Sequence, residues 1–295
     1  MSFQIRLDSQ FIRALNDLRD TGSWWDALRK DQERDVFIAI RNQGINAYVG
    51  GRSIARIDWK GGRLKLLVHP KFLAVTRTAA RVNLLPPNRS PVQGVIIDDA
   101  SKYAENFDLV KTTARLFSDE ERDAENGIAV KCGNVIDMEV AFSGEPDDDG
   151  EAPKSRTGRV DLVSADKDGN LTLVEAKLYS NAELHCVGVP RLCEQLGKYQ
   201  AWATRNKGSI INAYQAVREY REQLGLTVGK LPVTISNLDT SPRLLILGYA
   251  RRDVVELGDI RDAILKALSQ QTPPVNAKVA CIGNASSVRS RHLQN

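Results

Sequence analysis

The feature that most constrains this chain is the stretch 158–178, GRVDLVSADKDGNLTLVEAKL, in which two apolar runs flank an Asp-Lys-Asp-Gly-Asn turn. Asp168-Gly169 between alternating apolar residues is a strong short-range hairpin signal, because glycine supplies the positive φ of a tight turn without strain. The spacing therefore predicts antiparallel strands over 159–165 and 171–178. Side chains alternate faces along a strand, so Glu175 and Lys177 share a face, and Asp161 falls opposite or diagonal to them within about one residue of register. Val160, Leu162, Val163, Leu171, Leu173 and Val174 predict a sheet covered on both faces, where charges must be paired or bound to metal.

Two carboxylates held close repel each other, and a hard divalent cation such as Mg²⁺ relieves that repulsion while keeping water ligands for chemistry. A neighbouring lysine can orient such a water or help deprotonate it. The same residues also fit an ordinary surface hairpin with a Glu/Lys ion pair, so spacing alone leaves both readings open. The next helix bears on the choice. Residues 190–205 begin with a proline suited to a first helical turn, and Gln195, Tyr199 and Trp202 recur at i, i+4, i+7 on one stripe.

Asp161, then Glu175-Ala-Lys177, then Gln195-Leu-Gly-Lys-Tyr199 resembles the RecB-type nucleases of the PD-(D/E)XK superfamily, which carry a Gln-x-x-x-Tyr motif. The resemblance covers residues 135–250, and its order and spacing are more specific than any single motif. It implies an α/β fold with a restriction-endonuclease-like core, a mixed central sheet flanked by helices in the order αβββαβ. Helix 101–117, strand 135–142, the hairpin, the motif helix and strand 244–250 are expected to supply it. The superfamily name begins with a proline before the first aspartate, whereas this chain has Arg159-Val-Asp161.

The resemblance further implies that Asp161, Glu175 and the Ala176 main-chain carbonyl hold Mg²⁺ or Mn²⁺. It makes Lys177 the residue that positions the attacking water, and Gln195 and Tyr199 substrate-orienting or supporting groups. Many relatives add an acid from the helix before the first strand; Glu121 and Glu125 are nearest in sequence, with Glu105 and Glu139 as alternatives. Residues 118–126 read equally as a solvated helix start in which Ser118 and Glu121 form a capping box. The implied activity is metal-dependent hydrolysis of DNA. The alternative is a nuclease-like chain without activity that serves as a nucleic-acid-binding or assembly module. Unwinding would need a helicase partner, since no P-loop or helicase signature is present, and a homo-oligomer is the other partner considered.

Whole-chain properties set bounds. With 295 residues, 42% hydrophobic and 26% charged, the chain reads as globular with one large or two ordinary domains. No apolar run reaches membrane-spanning length and the start lacks a signal-peptide pattern, so the expected location is the cytoplasm. Four scattered cysteines, Cys132, Cys186, Cys193 and Cys281, argue against a disulfide scaffold. They lack the compact spacing of an iron–sulfur cluster, and none is expected.

Charge is distributed unevenly. Residues 1–95 hold 16 Lys/Arg against 8 Asp/Glu, a balance of +8, and the remaining 25 against 29 bring the whole to +4. Lys60, Arg63, Lys65, Lys71, Arg77, Arg81 and Arg89 fall in a stretch without acidic residues, which makes the region a candidate phosphate-binding surface; Arg159 is a further candidate. The pattern predicts helices over 9–19 and 23–42, then strands over 45–49, 53–59 and 63–69. A basic α+β domain is expected over 1–95, the site-bearing domain over 96–270 and a tail over 271–295 that is weakly ordered apart from 278–282. Helices are also expected over 210–224 and 253–268. The acidic run 144–151 reads as a surface loop.

Overall fold

The structure, a computed structural model, describes residues 3–32, 34–73, 82–85, 97, 99–141, 159–185 and 189–294. Arg77, Arg81, Arg89, Cys186 and the acidic run 144–151 lie outside the described residues. Two short helices, α1 (Ser9–Asn16) and α2 (Trp24–Lys30), are each started by a side-chain cap, Asp8 and Ser23. A five-stranded antiparallel meander follows: β1 (Phe37–Arg41), β2 (Gly44–Val49), β3 (Arg52–Lys60), β4 (Arg63–Val68) and β5 (Val82–Asn83).

The expected helix over 23–42 is thus corrected. It stops at Lys30, and the run Val-Phe-Ile-Ala-Ile becomes β1 because its β-branched residues pair with β2 in register from Phe37↔Tyr48 to Arg41↔Gly44.

Three helices then precede the second sheet: α3 (Ala100–Glu105), α4 (Phe107–Leu116) and α5 (Glu120–Lys131). The sheet itself comprises β6 (Val135–Ala141), β7 (Arg159–Ala165), β8 (Asn170–Leu178), β9 (Asn237–Leu247) and β10 (Lys278–Ile282), in spatial order β10-β9-β8-β7-β6. β6, β7 and β8 are antiparallel, whereas β9 and β10 run parallel to β8. The crossover from β8 to β9 is made by α6 (Val189–Gln223), and α7 (Val254–Ser269) joins β9 to β10. The result is a mixed sheet flanked by helices. The helix immediately before β6 is α5, not the expected 101–117 segment, which splits at Asn106 into α3 and α4.

The β7–β8 turn forms as its sequence requires. Asp166 Oδ1 accepts the main-chain N–H groups of Asp168 (2.8 Å) and Asn170 (2.9 Å), while Gly169 takes φ +84°. A Cβ on Gly169 would lie 2.3 Å from the Thr234 carbonyl oxygen, so the segment leading into β9 also depends on that glycine. α6 is one 35-residue helix rather than two, roughly 50 Å long at 1.5 Å per residue. Its buried stripe of Leu192, Leu196, Tyr199, Ala203, Ile210, Tyr214 and Val217 runs through the Gly208 region without changing period, which overrides the weak helix propensity of that glycine.

One hydrophobic core spans both sheets, taking Phe11, Trp25, Ile38 and Ile54 together with Ile136, Val163, Leu196 and Tyr214. Polar ties reinforce it. The Arg41 guanidinium meets the buried Asp137 carboxylate and the Met138 carbonyl across the β1–β6 junction, and Tyr214 donates to Asp137 at 3.1 Å. β10 lies at 278–282, the part of the tail excepted from the expectation of weak order, and beyond it the tail buries Val288 and Leu293 against the sheet, with Ser164 Oγ donating to the Leu293 carbonyl at 3.3 Å. Its scattered apolar residues gave no periodic signal. Among the described residues, no helix is long and apolar enough to cross a membrane.

Candidate functional site

Asp161, Glu175 and Lys177 are brought together by the ladder between β7 and β8, in which Leu162 faces Val174. One residue further along, Asp161 turns its carboxylate onto the neighbouring strand, where Oδ2 accepts the Ala176 N–H at 2.8 Å. Glu175 is wholly buried, and Lys177 reaches back along the same face to place Nζ 2.6 Å from Glu175 Oε1. The surface-hairpin reading is excluded by this burial. Gln195 and Tyr199, one turn apart on α6, both point at Glu175: Gln195 Nε2 donates to Oε1 at 2.9 Å, and the Tyr199 hydroxyl meets Oε2. That hydroxyl also lies against the Arg159 carbonyl and accepts from Gln195 Nε2 at 2.9 Å. Trp202, on the same stripe, packs edge-on to Phe3 in the core, 5.3 Å between ring centroids.

Two further acids, Glu121 and Glu125, come from α5. Asp119 caps this helix by accepting the Arg122 N–H at 2.9 Å, so the expected Ser118/Glu121 capping box is not formed; Ser118 instead donates to the Gly50 carbonyl. Glu121 is already occupied. Its Oε2 accepts the Leu178 N–H (3.0 Å) and Asn181 Nδ2 (2.8 Å), and Oε1 lies 3.4 Å from Lys177 Nζ. Glu125, one turn on, is 3% exposed and has no hydrogen bond or ion pair among the described residues. Both residues line a cavity of about 570 Å³, together with Asp119, Arg122, Glu139 and Asp161. Glu139 enters from β6 with its backbone in the left-handed region (φ 55°), and its carboxylate pairs with Arg159 at 3.0 Å. Glu105 is exposed on α3, away from the cavity.

The electrostatics follow from this crowding. Burial, then the charges of Glu125 and Glu175, hold the Asp161 carboxyl well above the usual range, although Lys177 and the Ala176 N–H act against the shift. Burial, then Glu139 and Glu175, do the same to Glu125. Glu175 is raised by burial, although Lys177, Tyr199 and Asp161 act against the shift. Burial disfavours the Lys177 ammonium, but Glu175 and Asp161 outweigh it and keep the amine charged. Without a further cation, this set relieves its repulsion by retaining protons.

The donor chemistry fits a hard divalent cation: carboxylate oxygens, one of them on a buried side chain without a partner, and no soft ligand. The conformation is not a ready-made ligand set, since among the described residues no group of three His, Cys, Asp or Glu side chains is arranged to hold a metal ion. Glu175 spends its oxygens on Lys177, Gln195 and Tyr199.

The expected basic surface divides. Lys60 and Arg63 are exposed beside the Gly61-Gly62 turn, Lys65 pairs in register with Asp58, and Lys71 lies 4.9 Å from the centre of the Phe72 ring. None of these lines the cavity. The cation that the first sheet brings beside α5 is Arg52, which the sequence reading did not single out. A search against protein-family models, characterised proteins and solved structures finds no match in any of the three.

Proposed function

We propose that this chain is a metal-dependent nuclease of the PD-(D/E)XK type, with a restriction-endonuclease-like core in which α5, β6, β7, β8, α6 and β9 supply the order αβββαβ. The observation that carries the reading is the convergence on Glu175 of Lys177 from its own strand and Gln195 and Tyr199 from α6, beside Asp161. An ordinary core has no reason to bury so many ionisable groups around one carboxylate.

Asp161, Glu175 and the Ala176 carbonyl would hold Mg²⁺ or Mn²⁺, with Glu125 as the acid from the helix. When bound, the cation supplies charge stabilisation for phosphoryl transfer and acidifies water. Gln195 and Tyr199 fix the orientation of the Glu175 carboxylate. Lys177 stays charged beside it and orients the attacking water toward phosphorus. The substrate is a nucleic-acid phosphodiester, DNA by the resemblance.

Incubation with linear, circular and single-stranded DNA tests the reading, with Mg²⁺ or Mn²⁺ and then with EDTA. Cleavage should require the cation and vanish in Asp161→Ala, Glu175→Ala and Lys177→Ala proteins that remain folded. Cleavage that survives any of these changes sinks the assignment. A second reading draws on the Lys177–Glu175 contact of 2.6 Å, which occupies Glu175 from within. On that reading the chain is an inactive nuclease fold that binds nucleic acid, and it would bind DNA without cutting under all cation conditions.

A further inference from the structure

The turn between β2 and β3 docks on the start of α5. Gly50 and Gly51 both take positive φ there, and a Cβ on Gly51 would lie 2.6 Å from Cβ of Arg122. This close approach sets Arg52, the first residue of β3, beside Arg122, a residue of the cavity lining. The two guanidinium groups share one carboxylate at long range: Arg52 Nη2 and Arg122 Nε each lie 3.7 Å from Asp119 Oδ2. Asp119 is a poor counterion for both, because its other oxygen caps α5. The Arg52 side chain is 24% exposed, and its Nε is buried with no hydrogen-bond partner. A buried N–H without a partner is costly, and an arginine fork is built to offer two parallel donors to an oxyanion. Burial, followed by the charge of Arg122, lowers the Arg52 pKa, although Asp119 and Glu139 act against the shift.

We propose that Arg52 and Arg122 form a clamp for a backbone phosphate of the nucleic-acid substrate at the mouth of the acidic cavity. This rests on the nuclease reading and adds the substrate's path to it: the first sheet takes part in the site through Arg52, not through the exposed Lys60/Arg63 turn. The carboxylates inside the cavity repel an anion. The clamp therefore acts on the phosphate next to the scissile one, and its affinity rises when a divalent cation offsets the acids.

The test uses the full chain in a Lys177→Ala background, which on the nuclease reading prevents cleavage and keeps the carboxylates that would hold the cation, with a short fluorescent DNA strand in Ca²⁺ and anisotropy as the readout. Arg52→Gln and Arg122→Gln should each weaken binding roughly tenfold and make the salt dependence shallower by about one unit of slope. Arg52→Lys should recover part of the loss, and Lys60→Gln/Arg63→Gln should change little. Circular dichroism confirms that each variant is folded. Unchanged binding by folded Arg52→Gln and Arg122→Gln proteins overturns the clamp while the nuclease reading stands. If the parent binds no DNA, the nucleic-acid reading falls, and inorganic polyphosphate then decides the clamp: binding lost in Arg52→Gln keeps it, and binding equal in parent and variant overturns it.

Discussion

Asp161 shows how a single carboxylate can be held at a cost to the fold. Its pKa, like that of Glu125, is raised by burial and by neighbouring acids. A carboxyl raised in the folded state binds more protons folded than unfolded, so its contribution to stability falls as pH rises from the unfolded value, about 3.9 for Asp, toward the raised folded value. The cation-free protein should therefore lose this stabilisation as pH climbs through and above the ordinary carboxylate range. Asp161→Asn keeps an acceptor for the Ala176 N–H and removes one charge. It should raise the melting temperature of the cation-free protein near neutral pH and flatten the pH dependence. It should also abolish the stabilisation that Mn²⁺ gives the parent, which thermal shift in EDTA and in Mn²⁺ would measure. An equal Mn²⁺ response in parent and variant would remove Asp161 from the cation site.

At the scale of elements, the β7–β8 hairpin was legible almost to the residue, because alternation, turn chemistry and a ladder buried on both faces all point to one register. Asp166 is the piece that fixes it. Burial alone would lift its carboxyl, but the Asn170 side-chain amide and the main-chain N–H groups of Asn170 and Asp168 hold it below the usual value. That contribution is present above the unfolded pKa and is lost as pH falls through the depressed folded one. Asp166→Ala should cost about 1–2 kcal/mol at neutral pH and nothing extra once the carboxylate is protonated, as denaturant titrations at two pH values would show.

Other elements were less legible for physical reasons. α5 has few apolar residues and no clean helical stripe, so Glu121 and Glu125 could not be separated; one is bound to Leu178 and Asn181, the other to no side chain among the described residues, a distinction made by contacts nearly sixty residues away. β1 is a short apolar run that helix and strand accommodate equally until its partner is known. Arg52 escaped notice because it sits among other alternating cations, and only the docking of a glycine turn on α5 gives it a place.

At the scale of the whole molecule, the shared core and the Arg41–Asp137 tie argue that the two sheets unfold together. Calorimetry should show one cooperative transition, and residues 96–295 expressed alone should fail to fold, since the faces that meet Ile38, Ala47 and Trp25 would be bare. Arg41→Met leaves Asp137 buried without its cation and should cost about 3–5 kcal/mol, whereas the paired change Arg41→Met/Asp137→Leu should recover much of it. Gly51→Ala sets a methyl group against Arg122 at a positive φ and should destabilise by about 1–3 kcal/mol, read by denaturant midpoint.

α6 meets the Glu175 cluster toward one end and the first sheet toward the other. Tyr199 holds the Glu175 carboxylate, and Arg221, about 22 residues further along the helix, donates to the Ile38 carbonyl at 2.7 Å. A rigid rod of roughly 33 Å lies between those contacts, so a tilt of about one degree at the far end displaces the near end by about half an ångström. Substitutions in β1, distant from Glu175, can thus retune that carboxylate through leverage, and the first sheet is as much a calibration of the site as a neighbour to it.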